Sequence, residues 1–380
     1  MQAQGPLAGY RIVDFGQYVA VPGATQQLAA LGADVIKVEP PGGEQSRRIG
    51  VYGEAIIRAY SRGKRSVVLD LKTPQGLEVA RRLVADADVV CQNARPGVME
   101  RLGLGPDDVR AANPRVVYVS VSGFGTRGPS ARRAGLDIAA QAESGVMSVT
   151  GEPDGDPQRV GFPVVDQATA AVVVQAVLAA LLHRERSGRG DEIEVSLLEV
   201  AVHLQTPNWT EYGITGVPPA RRGNPQPTAC PAADVIRTID GAIVLSAYQS
   251  DHFSRLCALI GRPELPEDPR FADNLSRAAH RPALLQELSA ALSHLSTEEC
   301  VTRLSGAGLV AGAIRDYEQV LSSRDVIDNE IFTEGRAVDG KAFIVPALPM
   351  RSRTFGRGHG SGRVPGVGEH TDEVLSQLRR

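Results

Sequence analysis

The stretch RIVDFGQYVAVPGATQQLAALGADVIKVE, residues 11–39, places two short β-branched runs on either side of a longer apolar segment that ends at Gly32. The runs RIVDF and VIKVE are typical of buried strands, and residues 22–31 have the length and spacing of a helix. Strand, helix and strand in this order predict a βαβ unit with two parallel strands. The stretch therefore predicts an α/β fold.

The same alternation continues along the first half of the chain. Further strands are predicted at SVVLDL (66–71), DVVCQN (88–93) and RVVYVSVSGFG (115–125). A helix is predicted at 74–85, and a long helix rich in Ala and Val at 167–186, before the strand EIEVSL. We expect a doubly wound, Rossmann-like large domain over residues 1–205.

The character of the chain changes after this domain. The sequence runs into a stretch crowded with Pro, Gly and Arg, which is typical of a linker. VIRTIDGAIVLSAY (235–248) then predicts two short strands around a tight Asp-Gly turn, and helical patterns follow. We expect a linker at 206–225, a small α+β domain at 226–325, and a return linker and C-terminal segment at 326–380 that rejoins the large domain.

Composition narrows the functional classes. The 380 residues are 42% hydrophobic and 22% charged, with a formal net charge of -3 and scattered basic residues. Such a chain lacks the basic stripe of a nucleic-acid-binding protein. Its start has no charged region followed by an apolar run, and no uninterrupted apolar stretch approaches the roughly 18 residues of a membrane span. We expect a cytoplasmic protein that binds neither nucleic acid nor membrane.

Several common catalytic motifs are absent from the sequence. It contains no phosphate-binding P-loop, no His-Glu-x-x-His zinc motif and no Gly-x-Ser-x-Gly nucleophile elbow. The four cysteines are far apart, so we expect reduced core residues and no zinc or redox site. The seven histidines also lack the spacing of metal ligands. We therefore expect no metal.

A series of stretches, taken in order, carries a resemblance to a known family. They are LAGYRIVDFGQYVAVPGATQQLAALGADVIKVEPPGGEQSR, KRSVVLDLKTPQG, DADVVCQNARPGVMERLGL, NPRVVYVSVSGFGTRGP, GFPVVD and PGVGEHTDEVL. In these stretches the chain resembles the class III CoA-transferases, the family of formyl-CoA transferase, carnitine CoA-transferase and the bile-acid-inducible F protein. The resemblance implies an enzyme that moves CoA from an acyl-CoA donor to a small carboxylic acid. It also implies an interlocked homodimer.

The resemblance places the acyl-carrying aspartate of the family at the end of GFPVVD, at Asp166. There the carboxylate would form an aspartyl anhydride and then an aspartyl-CoA thioester. The residues themselves place Asp166 at the start of a long buried helix, where backbone N–H groups favour an anion. A plain helix-capping role is the alternative. An ordinary aspartate, with a pKa of roughly 3.9, is fully ionised at neutral pH and needs no general base.

A covalent carboxylate also needs hydrogen-bond donors for the tetrahedral oxyanion. The turn FGQYVAVPGA passes from the first strand toward a helix N-terminus, so the backbone N–H groups of Val19 and Ala20 are candidate donors. Some members of the family carry a glutamine side chain in this turn. Local alignment places Val19 at that position and Gln17 two residues earlier, so Gln17 is a further candidate.

By the same resemblance, five residues in two motifs correspond to CoA contacts, namely Leu69 and Lys72 in LDLK and Asn93, Val98 and Arg101 in QNARPGVMER. Lys72 and Arg101 have the charge that nucleotide phosphates need. Each of them taken alone also fits a solvated charge at a helix end. Arg47, in the loop after the second predicted strand, is a weaker candidate of the same kind.

Two other functions remain open at this point. The same fold serves acyl-CoA racemases, which pair the aspartate with a histidine in a Gly-His-Asp segment. This chain has Gly135-Leu136-Asp137 there, and leucine cannot move a proton. The second alternative is a non-catalytic CoA-binding protein built on the same fold.

The small domain carries a further difference from the family. The racemases take an acid from this region, where the present chain has Ser250, with Asp251 and His252 beside it. Family transferases often carry a glycine-rich loop over the active site in the same region, and residues 247–250 read Ala-Tyr-Gln-Ser instead. A different lid implies a different acceptor or a different way of excluding water.

Overall fold

The structure is a computed structural model that describes residues 5–224, 234–247, 249–358 and 362–378. Its central feature is a sheet of six parallel strands. In chain order these are β1 (Arg11–Asp14), β2 (Asp34–Glu39), β3 (Arg65–Val68), β4 (Val89–Gln92), β5 (Val117–Ser122) and β6 (Asp191–Ser196). They lie in the order β3-β2-β1-β4-β5-β6, so β1 pairs with both β2 and β4. The strand order reverses between β1 and β4. Doubly wound folds bind their ligands at such a point, beyond the carboxyl ends of the strands.

Helices connect these strands, and two further helices follow the last strand, β6. They are α1 (Ala20–Ala30), α2 (Gly50–Tyr60), α3 (Pro74–Ala85), α4 (Val98–Arg101), α5 (Pro106–Ala112), α6 (Asp137–Glu143), α7 (Val146–Val149), α8 (Val164–Ser187), α9 (Leu197–His203) and α10 (Thr206–Thr215). The predicted helix at 74–85 is confirmed at both ends. Its start is fixed by Thr73, whose side chain accepts a hydrogen bond from the N–H of Gly76, and by Pro74 in the first turn.

Side chains along each strand alternate between two cores, one on each face of the sheet. Ile12 and Val89 belong to the core that contains α1, α8 and α9. The residues that follow them, Val13 and Val90, belong to the core that contains α3 and α5. Strand side chains alternate in direction, so each face of the sheet contributes to its own core. Helices complete both cores and therefore cover both faces of the sheet. The predicted doubly wound α/β architecture is confirmed.

The chain forms two compact units. The first takes the described residues of Met1–Val149, Gln158–Pro219 and Ile327–Arg380, and the second takes those of Thr150–Pro157 and Ala220–Val326. Residues 206–215, predicted as the start of a linker, form α10 instead. A proline in its first turn and the left-handed Gly216 at its end favour this helix.

The second unit is a smaller α+β assembly. Its antiparallel sheet contains β7 (Asp234–Arg237), β8 (Ala242–Ser246) and β9 (Val310–Ala313). Its helices are α11 (Ser250–Leu259), α12 (Asn274–Ala279), α13 (Arg281–Leu292), α14 (Thr297–Gly306) and α15 (Tyr317–Ser322). Phe253, Leu256 and Leu288 are fully buried in its core. The predicted hairpin of two short strands around the Asp-Gly turn is confirmed.

The chain returns to the first unit within α16 (Arg324–Asp328), at Ile327. A hairpin of β10 (Phe332–Arg336) and β11 (Ala342–Pro346) is followed by the C-terminal helix α17 (Thr371–Leu378). The backbone N–H of His370 donates to the carbonyl of Ser66 over 2.9 Å, and the hydroxyl of Thr371 accepts from the N–H of Val68 over 3.1 Å. The C-terminal segment is thereby tied to β3.

Helix α8 is long and apolar enough to cross a membrane by length and composition alone. Polar residues such as Thr169 and Gln175 interrupt its apolar stretch, as the sequence indicated. In the structure Val165, Val173 and Val177 are completely buried in the core shared with α1 and the sheet. The helix therefore serves as a core element of the first unit.

Three of the four cysteines are described. Cys91, Cys257 and Cys300 are free and buried, which confirms the prediction of reduced core residues for them. Cys230 lies outside the described residues.

Candidate active site

Asp166 lies in the first turn of α8, and another carboxylate caps that helix. The residue before the helix is Pro163, whose side chain makes no capping bond. The backbone N–H groups of Val165 and Asp166 both donate to Oδ2 of Asp137, over 2.8 and 3.1 Å. Asp166 is therefore not the cap of its own helix, and the alternative role considered for it is wrong. Its carboxylate makes no hydrogen bond or ion pair within the described part of the chain.

Asp137 is held in place by its own surroundings. It is the first residue of α6 and is buried, and its Oδ1 accepts a hydrogen bond from Nε2 of Gln141 over 2.5 Å. The side-chain oxygen of Gln141 in turn accepts from the N–H of Val160 over 2.9 Å. A short hydrogen-bonded chain thus joins α6 to the segment that leads into α8.

This arrangement changes the acidity of Asp166. Burial, and then the negative charge of Asp137, raise the pKa of the Asp166 carboxyl from its ordinary value to about 7. Both effects disfavour the ionised form, because a carboxylate loses hydration on burial and is repelled by a like charge. The expectation of an ordinary, fully ionised aspartate is therefore wrong. A carboxyl group whose pKa lies near neutral pH is typical of an active site.

Helix α1 packs closely beside α8 on the same face of the sheet. A Cβ atom on Gly23 would lie 3.3 Å from Cβ of Ala170, so the absence of a side chain at Gly23 permits the approach. Both helices begin at the carboxyl edge of the sheet, because α1 follows β1 and α8 leads back to the start of β6. One turn before this contact lie Val19 and Asp166. We infer that the first turn of α1 lies next to Asp166.

A cleft opens beside this helix pair. Its volume is about 390 Å³, and its lining includes Gly23, Tyr60 and Gln167. The side-chain amide of Gln167 donates to the hydroxyl of Tyr60. Apolar residues at the end of β11 and just after it, among them Pro346 and Leu348, form another part of the wall. The residue next to Asp166 therefore faces a cavity large enough for a small organic acid.

The turn between β1 and α1, residues 15–19, lies at the point where the strand order reverses. Val19 directly precedes α1, Ala20 is the first residue of that helix, and both are buried. The backbone N–H and C=O of Gln17 are both bonded to the side chain of Asn93, each over 2.9 Å. The structure thus brings together Gln17 and Asn93, which the sequence analysis placed in different roles.

The other CoA-contact candidates follow the carboxyl ends of β3 and β4. Leu69 is buried and lines a cleft of about 380 Å³, and Lys72 is exposed in the turn that follows it. Val98 and Arg101 lie on the short helix α4, with Arg101 exposed. Lys72 and Arg101 form no ion pair within the described ranges. The five candidates therefore share one edge of the sheet, and their role as CoA contacts stays a prediction.

Arg47 has a different task from the one considered for it. Its guanidinium makes two hydrogen bonds to the buried carboxylate of Glu39, over 2.7 and 2.9 Å. A bidentate pair of this kind is strong and geometrically specific. Arg47 is therefore engaged inside the protein, which disfavours it as a phosphate contact.

The small-domain candidates are described only within their own unit. Ser250 and Asp251 begin α11, His252 is the next residue of that helix, and Asp251 pairs with Arg255 over 3.0 Å. Tyr248, within the predicted lid segment 247–250, lies outside the described residues. Among the residues that the structure describes, no group of three His, Cys, Asp or Glu side chains is arranged to hold a metal ion.

Several charged residues have structural roles that were not predicted from the sequence. They are Asp137, which entered the prediction only as the neighbour of Leu136, and Asp14, Lys37 and Lys64. The last three are buried, and two of them lie inside predicted strands, RIVDF and VIKVE. A charged residue within a buried strand is a signal that sequence alone provides, because such a charge requires a partner.

The fold and this site define an α/β protein with a perturbed carboxyl group at a helix N-terminus, beside the crevice of a doubly wound sheet. Residues 7–371 match the family model described as CoA-transferase family III. The chain belongs to that family and is a CoA-transferase that acts between an acyl-CoA and a carboxylic acid.

Individual relatives agree with this assignment. The chain is 40% identical to the probable fatty acyl-CoA transferase Rv3272 of Mycobacterium tuberculosis, over 98% of both chains. It is 37% identical to the succinate–glutarate CoA-transferase of Agrobacterium fabrum, over 98% of this chain and 96% of that one. The crystal structure of a CAIB/BAIF family protein from Brucella suis superposes with a TM-score of 0.87 at 33% identity, over 99% of this chain and 100% of that one.

Proposed function

We propose that this enzyme transfers CoA through covalent intermediates on Asp166. The observation that carries the proposal is the state of this carboxyl group, which is free of hydrogen bonds within the described residues and has a pKa of about 7. A carboxylate that burial and a like charge destabilise is more basic than an ordinary one, and it is more reactive when ionised.

The reaction proceeds in four balanced steps. The Asp166 carboxylate attacks the thioester carbonyl of the donor, and CoA leaves as a thiolate, giving a mixed anhydride. The thiolate attacks the aspartyl carbonyl, which releases the donor acid and leaves an aspartyl-CoA thioester. The acceptor carboxylate then expels CoA thiolate to form a second anhydride. Attack of the thiolate on the acyl carbonyl of this anhydride gives the new acyl-CoA and restores Asp166.

Each step passes through a tetrahedral oxyanion that needs donors. The N–H groups of Val19 and Ala20 lie at the N-terminus of α1, where backbone donors lack partners within the helix. An anion there is also favoured by the dipole of the helix. We propose these two groups as the oxyanion donors, with CoA held at the same edge of the sheet by Leu69, Lys72, Val98 and Arg101.

A small carboxylic acid is the proposed acceptor. Relatives of this chain are named for pairs of dicarboxylic acids, such as succinate with glutarate or with mesaconate. The cleft of about 390 Å³ next to Gln167 is of a size that suits such an acid. The racemase alternative is disfavoured because Leu136, which has no titratable group, is 58% exposed at the position of the racemase histidine.

We also propose that the protein is a cytoplasmic homodimer. Support for a partner comes from apolar side chains left exposed on α8 and α10, which are Leu178, Leu182, Trp209, Tyr212 and Ile214. Exposed apolar surface of this extent is typical of an interface between subunits.

The test is intact-protein mass spectrometry after incubation with a panel of acyl-CoAs. The wild type is expected to gain a hydroxylamine-sensitive adduct on Asp166, and Asp166→Ala is expected to lose both the adduct and CoA transfer. Asp107→Asn is the matched control, since Asp107 is an exposed aspartate in the first turn of α5. Transfer at the wild-type rate in Asp166→Ala would contradict the proposal. Deuterium incorporation at the α-carbon of a 2-methylacyl-CoA would favour the racemase instead.

A further inference from the structure

The turn at residues 15–19 is held by side chains from several other elements. Within this turn, the N–H of Gly16 donates to Oδ1 of Asp14 over 2.7 Å. The carbonyl of Gly16 accepts from Nζ of Lys37, on β2, over 2.9 Å. Both backbone polar groups of Gly16 are therefore fixed by buried charged side chains.

These charged groups are themselves neutralised inside the protein. Asp14 and Lys64 form an ion pair of 2.8 Å in which both side chains are fully buried. Lys37 pairs with the buried Glu44 over 2.8 Å. Burial opposes the ionisation of Asp14, yet Lys64 and Lys37 lower its pKa below the ordinary value. Because an unpaired buried charge is costly, this network strongly favours one position for the turn.

The next residue is fixed in the same way by a single side chain. Asn93, directly after β4, accepts the N–H of Gln17 on Oδ1 and donates from Nδ2 to the carbonyl of Gln17. Tyr18 then adopts a φ of 63°, in the left-handed region that residues with a side chain rarely enter. Its hydroxyl donates to Oε1 of Gln45 over 2.6 Å. A strained residue of this kind persists only where its surroundings determine its conformation.

The turn leads directly into α1, so its position determines where the first N–H groups of that helix lie. An oxyanion hole works because its donors are already in place when charge develops, and a small displacement of them costs rate. We propose that Asn93 is a positioning residue for the oxyanion donors of Val19 and Ala20, acting through Gln17. This inference rests on the proposed function. It gives Asn93 a task that differs from the CoA contact predicted by the family resemblance.

The two tasks have different kinetic signatures. Loss of a CoA contact removes binding energy and raises the KM for acyl-CoA and the dissociation constant of CoA. Loss of a positioning residue lowers kcat and leaves both constants near their original values. Truncation of Asn93 to alanine removes both bonds to Gln17, so the turn loses its anchor between the network at Gly16 and the start of α1.

The experiment compares Asn93→Ala with Asn113→Ala. Asn113 is a matched control, because it also makes two hydrogen bonds to backbone groups at a turn, to the carbonyl of Ala87 over 2.8 Å and from the N–H of Arg115 over 3.1 Å. It lies before β5, at the opposite edge of the sheet. Three quantities are measured on the full chain of each variant: amide hydrogen exchange of the peptide that covers residues 15–22, the dissociation constant of CoA, and kcat with KM.

For Asn93→Ala we expect faster exchange across residues 15–22, a CoA dissociation constant within about twofold of the wild type, and a kcat lower by about tenfold to a hundredfold. Asn113→Ala should leave all three near the wild type. Unchanged exchange in Asn93→Ala, or a raised CoA dissociation constant with unchanged kcat, overturns the proposal. The proposal is also overturned if both variants lose kcat equally and the losses parallel a fall in their melting temperatures. Exchange and CoA binding are measured without turnover, so they test the anchoring of the turn even if the wild type transferred no CoA, a result that would contradict only the proposed function.

Discussion

Lowering the pH from 8 to 6 should reduce kcat/KM for CoA transfer about tenfold. The attacking group is the ionised Asp166, and burial together with Asp137 raises its pKa to about 7. A group with that pKa is roughly ten-elevenths ionised at pH 8 and roughly one-eleventh ionised at pH 6. An ordinary aspartate would be fully ionised at both, and the profile would then be flat.

The assay is the steady-state rate of CoA transfer between pH 5.5 and 8.5, with acids that stay ionised over the whole range. Asp137→Asn provides the control. Its side-chain oxygen is still able to accept the N–H groups of Val165 and Asp166, but the negative charge is gone. The midpoint of the profile should move below that of the wild type, since one of the two causes of the raised pKa has been removed.

The same shift predicts an effect on stability with a definite sign. Because the folded protein binds the proton of Asp166 more tightly than the unfolded chain does, stability falls as the pH rises from about 4 through 7. Asp166→Asn has no carboxyl group to ionise at this position, so its stability does not fall in this way. It should melt at a higher temperature than the wild type at pH 8, and the difference should disappear by pH 4. Three pKa units correspond to at most about 4 kcal/mol. A flat activity profile down to pH 5.5, with melting temperatures that stay parallel, would refute the reasoning.

Two further predictions concern the buried network under the turn. Asp14→Asn leaves the ammonium of Lys64 buried without its anion, so we expect a loss of about 3–5 kcal/mol in the free energy of unfolding. As a control, Asp86→Asn at an exposed position should lower the free energy of unfolding by less than about 1 kcal/mol. Both values are measured by thermal unfolding. Gly16→Ala should lower both stability and kcat, because the new Cβ would lie 2.4 Å from Cγ1 of Val21. Wild-type turnover in this variant would show that the turn tolerates displacement.

Much of the fold could be predicted because its signals are local. Strands such as β4 contain consecutive apolar residues that face two cores in turn, and this pattern is visible in VVC without any knowledge of contacts. Helix α3 begins with Thr73 and Pro74, whose preferences act within a single turn. The N-terminal part of the predicted linker shows the limit of such signals, since α10 contains a proline and still forms a helix.

The position of Asp166 could be predicted from its motif, whereas its chemical state could not. Its pKa depends on Asp137, which is 29 residues earlier in the chain and reaches it across the start of α8. In the same way, the bond between Gln17 and Asn93 spans 76 residues. Contacts of this kind arise from the pairing of β1 with β4 and from the packing of α6 against α8. No local pattern in the sequence records them.

The pair of carboxylates explains why a helix N-terminus here does not lower the pKa of its aspartate. An acidic side chain in the first turn is normally stabilised in its ionised form by free N–H groups and by the helix dipole. In α8 the N–H groups of Val165 and Asp166 are already bonded to Asp137, whose charge faces the same positive end. The positive end of the helix therefore stabilises the charge of Asp137. The Asp166 carboxylate, in contrast, is repelled by Asp137 and has lost hydration on burial. One carboxylate thus stabilises the helix, and the other is left as a destabilised and reactive nucleophile.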